Sequence, residues 1–594
     1  MKKLLTGNEA IARGAWEAGV TVAAAYPGTP STEITENVAT YSDIYAEWSP
    51  NEKVALEVGI GASIAGARTL VCMKHVGVNV AADPLFTFAY TGVNGGLVLV
   101  SADDPGMHSS QNEQDTRHLA RAAKVPVIEP SDSSEAKELL KLAFQISEDF
   151  DTPVIFRITT RVAHSQTLVE LGERENFELK EYKKDPLKYV MVPAYGRARH
   201  VVVEDRKARL AQFAEGSELN TIEWAENKAV GVITNGISYQ YAKEAFGEKV
   251  SVLKLGMTYP LPKNLISKFV ETCEQVYVAE ELEPFIENEI KAMGIKVTGK
   301  ELLPTVGELS AKMLQEKIKI GSDDLTQAEA AVATEEVGYQ IEGNAPIRPP
   351  VMCAGCPHRG AYHVFRKLKL KVAGDIGCYT LGAMAPLESI DTCICMGASI
   401  GNALGMEKAR GKDFAKKLIS VIGDSTFLHS GVTGLIDMVY NQGIGTVVIL
   451  DNSTTAMTGH QHHPGTGKSV TEQPAPQIDF VKLVEAVGIK RVRNVDPYDL
   501  EGLEEIMKEE LEAEEPSVVI AKRACALIDK GSWTNPISIN ADACVGCRQC
   551  IRLGCPGLAV SGKKTVCNET QCIGCGLCIK VCKFGAIKVG EGNE

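Results

Sequence analysis

Eight cysteines near the carboxyl end of the chain have the spacing of metal-cluster ligands. They lie in two runs, Cys-x2-Cys-x2-Cys-x4-Cys and Cys-x2-Cys-x2-Cys-x3-Cys. Thiolates in such runs bind [4Fe-4S] clusters, and the fourth cysteine of each run ligates the cluster of the other run. Zinc ribbons use two CxxC pairs instead, so the pattern favours iron–sulfur clusters over zinc. The expected ligands are Cys544, Cys547, Cys550 and Cys582 for one cluster, and Cys572, Cys575, Cys578 and Cys555 for the other.

Two apolar runs in the second half of the chain end in polar residues. The run 418–422 leads to Asp424, and the run 446–450 leads to Asn452. A helical pattern lies between them, which predicts a βαβ unit. Both strands then end at the same edge of a parallel sheet, where open α/β sheets bind ligands. One carboxylate and one amide oxygen suit Mg²⁺ with a bound diphosphate, although a Gly-Asp pair alone is more often only a turn.

The composition is that of a large soluble α/β enzyme. A chain of 594 residues is too long to fold around a single hydrophobic core, so about three to five domains are expected. The net charge of −14 argues against nucleic acid as a partner, because phosphate binding needs a basic surface. No apolar run reaches membrane-spanning length, and the first residues lack the apolar core of a signal peptide. We therefore expect a cytoplasmic protein whose cysteines serve as ligands rather than disulfides.

Alternating strand and helix patterns divide the chain into α/β domains. Residues 1–165 and 351–528 each predict a doubly wound parallel sheet that is covered by helices on both faces. Residues 201–320 predict a further α/β domain between them, which resembles the C-terminal domain of transketolase-type enzymes. The remaining segments are interpreted as a charged linker, 166–200, a proline-marked linker, 321–350, and a cysteine-rich, ferredoxin-like module with two [4Fe-4S] clusters, 536–594.

The stretch around Asp424 resembles the thiamine diphosphate (ThDP) motif of the 2-oxoacid:ferredoxin oxidoreductases. Members of that family carry GDG, then NN or DN, and a trailing MTGGQ, where this chain has GDS, DN and MTGHQ. Ser425 and His460 are departures that leave the expected metal ligands in place. The resemblance implies the Mg²⁺ ligands Asp424, Asn452 and the backbone carbonyl of Thr454, and the cofactor contacts Gly423, Ser425 and Met457.

The resemblance extends to the first domain, which would hold the pyrimidine ring of the cofactor. Segment 51–70 resembles the family pattern of a Glu followed by small residues, and the two fall into register when Glu52 is the cofactor base. Glu57 is the alternative, and an acid in a first helical turn is more often merely favoured by the helix dipole. The loop 26–31 resembles the family's YPITPS loop, which implies that Thr29 contacts the carboxyl and keto groups of the substrate.

Four further cysteines surround the second ThDP domain. In relatives, a CxxC pair, one later cysteine and one distal cysteine hold the cluster nearest to the cofactor. The order here agrees, with Cys353, Cys356, Cys378 and Cys525 in these places. The alternative is that the CxxC pair only lines the pocket, so the resemblance implies two clusters and leaves a third open.

The remaining candidates are assigned more ordinary roles. His460, His462 and His463 follow the metal loop and are interpreted as pocket lining. Cys567 occupies a strand position of the internal repeat of the cysteine-rich module, so it is not expected to be a ligand. The thiols expected to be buried in apolar surroundings are Cys72, Cys273, Cys393 and Cys395.

Two ThDP half-sites and a fused two-cluster module resemble the indolepyruvate branch of the family. The resemblance covers nearly the whole chain, including CAGCPHRG, GDIGCYTLGAM and CMGASIG. It implies oxidative decarboxylation of aryl pyruvates (indolepyruvate, phenylpyruvate and hydroxyphenylpyruvate) with coenzyme A, with electrons passed to ferredoxin. It also implies a smaller beta subunit, and we expect an (αβ)₂ assembly because ThDP sites commonly lie between protomers.

Three alternatives remain open at this point. Another 2-oxoacid:ferredoxin oxidoreductase would share all these motifs. A non-redox ThDP decarboxylase would have no use for the clusters. An electron-transfer subunit with relic ThDP domains would not need Glu52, Asp424 and Asn452, all of which are present.

Overall fold

The computed structural model describes residues 1–320 and 350–590. The chain consists of two compact units, Met1–Gln340 and Ile341–Glu594. Their boundary falls within the predicted linker 321–350, which, apart from Pro350, lies outside the described residues. Within the described part of the chain, no helix is long and apolar enough to cross a membrane.

The first unit contains a seven-stranded sheet in which five neighbouring pairs are parallel. In spatial order its strands are Met257–Tyr259, Val127–Ile128, Val154–Thr159, Leu97–Asp103, Thr69–Lys74, Val22–Ala25 and Tyr45–Trp48. Leu70 and Cys72 belong to one apolar cluster, whereas Val71 and Met73 belong to another. Since successive side chains of a strand point to opposite faces, both faces of the sheet are buried, as predicted for this domain.

Helices cover both faces of this sheet. They are Gly7–Glu17, Thr32–Val38, Glu52–Ile64, His75–Val80, Ala82–Thr91, Thr116–Ala123, Ser133–Asp149 and Thr160–His164. The first of them has a capping box, in which Thr6 and Glu9 satisfy each other's backbone N–H groups.

The interpretation of 166–200 as an irregular linker is wrong in two places. Gln166–Glu170 is a strand that pairs antiparallel with Lys2–Thr6. The short helix Pro186–Tyr189 is followed by a long helix, Pro193–Gly216, which runs across the predicted domain boundary at 200. Its buried residues are Val203, Arg206, Leu210 and Ala214. The arginine on the buried face hides the helical pattern, because it interrupts the row of apolar residues that would reveal it.

The middle of the first unit forms a smaller sheet of four strands. In spatial order they are Gln275–Ala279, Val230–Asn235, Ser251–Leu255 and Asn220–Glu223, and only the last pairs antiparallel. The apolar stretch 251–262 is divided between the two sheets, because Met257–Tyr259 pairs with Val127–Ile128 of the larger sheet. A strand from the segment predicted as the middle domain therefore belongs to the sheet of the first domain. The helices are Gly236–Phe246, Lys263–Thr272, Phe285–Ala292 and Ala311–Lys317.

The second unit is built on a six-stranded parallel sheet. In spatial order its strands are Thr392–Cys393, Lys371–Gly374, Leu418–Gly423, Thr446–Asp451, Ser517–Lys522 and Arg491–Val495. The predicted βαβ unit is confirmed, since Ile419 pairs with Thr446 and Gly423 with Leu450. Its connecting helical segment contains one π-helical turn, Phe427–Gly431, directly before the helix Val432–Tyr440. Such turns are frequent at functional sites.

The other helices of this sheet domain again lie on both faces. They are His358–Lys367, Ala398–Arg410, Lys412–Ala415, Phe480–Ala486 and Leu500–Leu511, with short turns at Cys378–Ala383, Asp424–Thr426 and Ala456–Thr458. The cysteine-rich module that follows is made of short elements. These are the antiparallel pairs Ser538–Ile539 with Ile587–Lys588 and Leu558–Ser561 with Lys564–Cys567, the turns Lys530–Ser532 and Ile551–Leu553, and the helix Leu577–Val581.

Candidate cofactor site and cluster ligands

The two predicted diphosphate-site residues lie at the carboxyl ends of adjacent parallel strands. Asp424 directly follows Leu418–Gly423, and Asn452 directly follows Thr446–Asp451. Their side chains are buried, at 3% and 7% relative exposure. The strand ends are tied together because Thr455 Oγ1 donates a hydrogen bond to Ser425 Oγ over 2.9 Å. The fold thus brings together the carboxylate and the amide that the sequence placed 28 residues apart.

Two donors hold the carboxylate of Asp424 in one orientation. The Ser425 N–H donates to Oδ1 over 2.9 Å, and His463 Nε2 lies 3.2 Å from Oδ2. His463 Nδ1 accepts a hydrogen bond from the Gly465 N–H over 3.1 Å, so the ring proton belongs on Nε2, facing Asp424. A histidine that orients a ligating carboxylate in this way is a common companion of metal sites. The sequence assigned His463 only to pocket lining and did not identify this contact.

The other predicted residues of this loop occupy different environments. Thr454 is buried, and its N–H donates to Asn452 Oδ1 over 3.3 Å. Met457 is half exposed, in the turn Ala456–Thr458. The neighbouring Asp451 pairs with Lys522 at 3.1 Å, and its pKa is raised by burial and by Asp424. One carboxylate, one amide and one backbone carbonyl remain as oxygen donors at this edge, which fits a hard cation.

A third acidic residue at the same edge was missed by the sequence reasoning. Asp375 follows the strand Lys371–Gly374, which lies beside Leu418–Gly423. Its carboxylate is fully buried and accepts hydrogen bonds from the N–H groups of Ile376, Gly397 and Ser399. Burial raises the pKa of this group. Asp375 thus caps the helix Ala398–Arg410, and an acid after a third apolar strand is the signal that could have identified it.

Glu52 and Glu57, the two acids of segment 51–70, lie in different environments. Glu52 is the first residue of the helix Glu52–Ile64 and is only 5% exposed. Gly77 packs so closely on it that a Cβ atom at this glycine would lie 2.6 Å from Glu52 Cγ. Glu57 is exposed and forms an ion pair with Lys53. A buried, closely packed carboxylate suits a fixed catalytic position, which favours Glu52 over Glu57.

Thr29 lies in the predicted loop between the strand Val22–Ala25 and the helix Thr32–Val38. It is half-buried, and its carbonyl accepts a hydrogen bond from Ser109 Oγ over 3.1 Å. Ser31 is the N-cap residue of the following helix by position, but its hydroxyl bonds back to Gly28 O at 2.9 Å. The loop is therefore held from two sides at the carboxyl edge of the first sheet.

One of the two ligand sets predicted for the cysteine-rich module lines a common cavity. Its wall contains the complete set Cys555, Cys572, Cys575 and Cys578. Cys572 Sγ accepts N–H hydrogen bonds from Ile537 at 3.4 Å and Gly574 at 3.5 Å. Donors of this kind stabilise the negative charge of ligand sulfur, so the site fits an iron–sulfur cluster.

The other ferredoxin-type set is nearer to the surface. Cys550 is buried, with its sulfur 3.4 Å from Thr565 Oγ1, whereas Cys547 is exposed. Backbone N–H groups of Thr565 and Gly546 lower the pKa of Cys544, which favours its thiolate. Cys567 ends the strand Lys564–Cys567, in agreement with its predicted strand position.

The four cysteines of the possible third cluster also lie near one another. Burial raises the pKa of Cys378 to about 11, with further contributions from Cys525 and Cys353. Burial raises the pKa of Cys356 to about 12, and the nearby thiols of Cys378 and Cys353 contribute smaller increases. The Cys525 N–H donates to Asn452 O over 2.9 Å, which links this set to the diphosphate loop. The sequence order alone could not show this neighbourhood.

His460 connects the metal loop to the same cysteines. Its Nε2 lies 3.7 Å from Cys525 Sγ. Its φ of 71° is in the left-handed region that favours glycine, which is the residue of the family motif at this place. Half-buried His462 instead lies against Glu472, at 2.8 Å. The three histidines grouped by the sequence therefore have three different surroundings.

The expectation that four other cysteines are buried holds only in part. Cys72 and Cys273 are buried, Cys393 is intermediate and Cys395 is exposed. Within 1–320 and 350–590, no group of three or more His, Cys, Asp or Glu is arranged to hold a single metal ion. The predicted magnesium site is not of that type, because it combines only one carboxylate with an amide and a carbonyl oxygen.

Three family models match successive parts of the chain. Residues 13–224 match the thiamine-diphosphate-binding domain of pyruvate flavodoxin/ferredoxin oxidoreductases. Residues 375–521 match the C-terminal, thiamine-pyrophosphate-binding domain of thiamine pyrophosphate enzymes, and residues 568–588 match a 4Fe-4S binding domain.

Relatives match over the whole length. The chain is 41% identical to indolepyruvate oxidoreductase subunit IorA of Archaeoglobus fulgidus over 619 residues, which covers 100% of this chain and 98% of that protein. It is 42% identical to the same subunit of Pyrococcus abyssi over 99% of this chain and 97% of that protein. The chain belongs to the IorA family. The IorA family member described here is thus an oxidoreductase acting on 2-oxo acids.

The shared features of this IorA family member and its matches define its cofactors. Both ThDP-binding models and the 4Fe-4S model match, so the protein is a ThDP-dependent 2-oxoacid:ferredoxin oxidoreductase with iron–sulfur clusters. A more distant relative is 2-oxoglutarate synthase subunit KorA of Archaeoglobus fulgidus, which is 24% identical over 47% of this chain and 87% of that protein. A solved 2-oxoglutarate:ferredoxin oxidoreductase from Magnetococcus marinus is similar with a TM-score of 0.45 and 18% identity, over 53% of this chain and 64% of that chain.

Proposed function

We propose that the chain is the alpha subunit of an enzyme that oxidatively decarboxylates aryl pyruvates with coenzyme A and reduces ferredoxin. The substrates would be indolepyruvate, phenylpyruvate and hydroxyphenylpyruvate, a class supported by similarity to indolepyruvate oxidoreductase subunits over the full length. The observation that carries the proposal is the hydrogen bond from Cys525 N to Asn452 O. It joins a candidate cluster ligand to the loop of the candidate cofactor site, as coupled decarboxylation and electron transfer require.

Asp424, Asn452 and the Thr454 carbonyl would hold Mg²⁺ against the diphosphate of the cofactor. Bound ThDP supplies the electron sink that lets a 2-oxo acid lose carbon dioxide. His463 would keep Asp424 in its ligating orientation, since the two are joined at 3.2 Å. Gly423, Ser425 and Met457 would line the cofactor, and their position beside these ligands supports that role.

Glu52 and Thr29 would act on the pyrimidine ring of the cofactor and on the substrate. The buried carboxylate of Glu52 would bind the aminopyrimidine ring and favour the tautomer that accepts a proton from the reactive carbon. Such proton transfer needs a group held within hydrogen-bond distance, and the close packing of Gly77 on Glu52 supports this requirement. The Thr29 hydroxyl would bind the carboxyl and keto groups of the 2-oxo acid.

The cysteine sets would carry the electrons away one at a time. Each turnover converts one 2-oxo acid, one coenzyme A and two oxidised ferredoxins into acyl-CoA, carbon dioxide, a proton and two reduced ferredoxins. Potentials of iron–sulfur clusters extend from about −700 mV upward, which includes the range needed for ferredoxin. The sets led by Cys572 and Cys544 would hold two [4Fe-4S] clusters.

The proposal includes a smaller beta subunit, an (αβ)₂ assembly and a cytoplasmic location. Cytoplasmic conditions keep cluster-ligating thiolates reduced. If the two halves of each ThDP site come from different protomers, size-exclusion chromatography with light scattering should give an (αβ)₂ mass for the active enzyme. An active monomer would contradict this assembly.

The function is tested by an assay of the purified chain with its beta subunit. Indolepyruvate should reduce methyl viologen only when coenzyme A is present. One molecule of acyl-CoA should form for every two electrons transferred to the dye. A non-redox decarboxylase would release an aldehyde without reducing the dye. An electron-transfer subunit would reduce the dye only with a separate 2-oxo acid oxidase, so either result would refute the proposal. Comparison with pyruvate and 2-oxoglutarate tests the aryl class.

Iron content tests whether Cys353, Cys356, Cys378 and Cys525 hold a third cluster, which we propose. Three [4Fe-4S] clusters predict about twelve iron atoms and as many sulfides per chain, and two predict about eight. Cys525→Ser is expected to lower both values by about four. Cys273→Ser is the matched control, because Cys273 is a buried thiol that belongs to none of the proposed ligand sets, and it should leave both values unchanged. A wild-type chain with about eight iron atoms, unaffected by Cys525→Ser, would show that these cysteines only line the pocket.

A further inference from the structure

Three parallel strands of the first sheet end beside one another near Thr29. The strand Val22–Ala25 leads into the loop of Thr29, its neighbour Thr69–Lys74 ends in a lysine, and the next strand, Leu97–Asp103, leads into Asp104. Carboxyl ends of parallel strands are where open α/β sheets bind ligands. The lysine at this edge is not used by the reaction as proposed so far.

Lys74 is packed against the predicted substrate loop. Its side chain is buried, at 8% relative exposure. A Cβ atom at Gly28 would lie 3.0 Å from Lys74 Cβ, so the loop passes directly over the base of this side chain. The helix that begins after Lys74 contains Gly77, the residue that packs on Glu52. Lys74 therefore contacts the loop of the candidate substrate contact Thr29, and the helix that follows it packs on the candidate cofactor base.

Hydrogen bonds tie the ammonium group to the same loop. Lys74 Nζ donates to Ser109 O over 2.6 Å and lies 3.3 Å from Ser109 Oγ. Ser109 Oγ in turn donates to Thr29 O over 3.1 Å. Asp104 Oδ2 accepts from the Ser109 N–H over 2.8 Å and from the Ser110 hydroxyl over 2.5 Å. Asp104 thus fixes the serine turn, and the serine turn aligns the lysine with Thr29.

The charge of Lys74 lacks a direct counter-ion. Among the described residues, no ion pair within 4.0 Å involves Lys74, although Asp104 is close enough to raise its pKa. Burial outweighs this effect and lowers the pKa to about 8. An ammonium group taken out of water is costly unless an anion compensates it. An ammonium can donate three hydrogen bonds, and within 1–320 and 350–590 only Ser109 accepts from Lys74, so a further acceptor can be bound.

We propose that Lys74 binds the carboxylate of the 2-oxo acid and holds it beside Thr29. This inference rests on the proposed function and adds the cation that its substrate requires. The bound carboxylate would be the missing counter-ion, and the hydroxyl of Thr29 would share it. The corresponding aldehydes lack this carboxylate, so Lys74 selects for 2-oxo acids over aldehydes. Lys74 is a substrate-positioning residue that contacts the carboxylate.

The test uses the holoenzyme with its beta subunit. Lys74→Met keeps most of the packing and removes the charge, and it should raise the KM for the 2-oxo acid at least about 30-fold, as expected for a truncated buried charge pair. Lys74→Arg should recover part of this loss. Lys188→Met is the matched control, because Lys188 Nζ also donates to a backbone carbonyl, Val93 O at 2.6 Å, and pairs with Asp151. Its KM should remain that of the wild type.

A pair of inhibitors separates charge recognition from damage to the loop. The carboxylic acid and the amide that carry the substrate's side chain, with CH₂ in place of the keto group, compete with the 2-oxo acid. Lys74→Met should weaken inhibition by the acid and leave that by the amide unchanged. An unchanged KM, or equal weakening of both inhibitors, would overturn the assignment. If the wild type itself turns over no 2-oxo acid, the proposed function fails and this inference fails with it.

Discussion

Replacement of Glu52 by Gln is expected to reduce 2-oxo acid turnover by about 10²–10⁴-fold while ThDP remains bound. Glu52 is buried, and Gly77 packs directly on its side chain. An amide of the same size preserves this packing but cannot act as the carboxylate that favours the reactive tautomer of the cofactor. The measurements are kcat for viologen reduction and the ThDP content of the purified enzyme.

Glu57→Gln is the matched control for this substitution. Glu57 lies in the same helix, is exposed and forms an ion pair with Lys53. Exposed ion pairs contribute little to stability, so this variant should fold and turn over like the wild type. The reverse result, an inactive Glu57→Gln beside an active Glu52→Gln, would move the catalytic role to Glu57. Full activity of both variants would show that neither glutamate of the first domain takes part in the reaction.

Replacement of Asp424 by Ala is expected to abolish binding of Mg²⁺ and, with it, of ThDP. Asp424 is the only carboxylate proposed to ligate the metal, and its orientation is set by Ser425 N and His463. Loss of a group that merely orients a ligand already costs about 10–100-fold in metal affinity, so loss of the ligand itself should cost more. Calorimetric titration with ThDP in the presence of Mg²⁺ measures this directly. The iron content should not change.

The contact with His463 gives a graded version of the same experiment. His463→Ala should weaken binding of Mg²⁺ and ThDP by about 10–100-fold, because the Asp424 carboxylate loses one of its two donors. His462→Ala is the control, since His462 is directed at Glu472 instead. If His463→Ala binds both ligands like the wild type, His463 does not position the metal ligand.

The sheets and the polar strand ends could be predicted because their signals are local. The runs before Asp424 and Asn452 are short, apolar and bounded by polar residues, and parallel strands buried on both faces have this pattern. Asp375 follows a shorter strand, Lys371–Gly374, and lies within GDIGCYTLGAM, which served only as evidence for the family resemblance, so its role at the strand end was overlooked. The CxxCxxC runs are equally local, since a single loop supplies three ligands of each cluster.

The errors of sequence prediction arose where long-range contacts override the local pattern. Gln166–Glu170 is a strand because it pairs with Lys2–Thr6 at the other end of the domain. Met257–Tyr259 leaves the sheet of its neighbours because Val127–Ile128 offers an edge. The helix Pro193–Gly216 buries Arg206, whose Nη1 donates to Ala89 O over 2.6 Å and whose Nη2 lies 3.4 Å from Asp151 Oδ2. In each case the partner is too distant in sequence to be recognised.

The amino-acid sequence by itself determined which chemistry this protein can perform. Cysteine runs, strand-end acids and the glutamate of a small-residue helix are short patterns whose spacing is a property of the chain. The tertiary structure decided which candidates face one another: Glu52 rather than Glu57 is buried, His463 orients Asp424, His460 faces Cys525, and Lys74 reaches the loop of Thr29. These pairings depend on packing between distant segments, because burial and hydrogen-bond geometry exist only once the sheets have assembled.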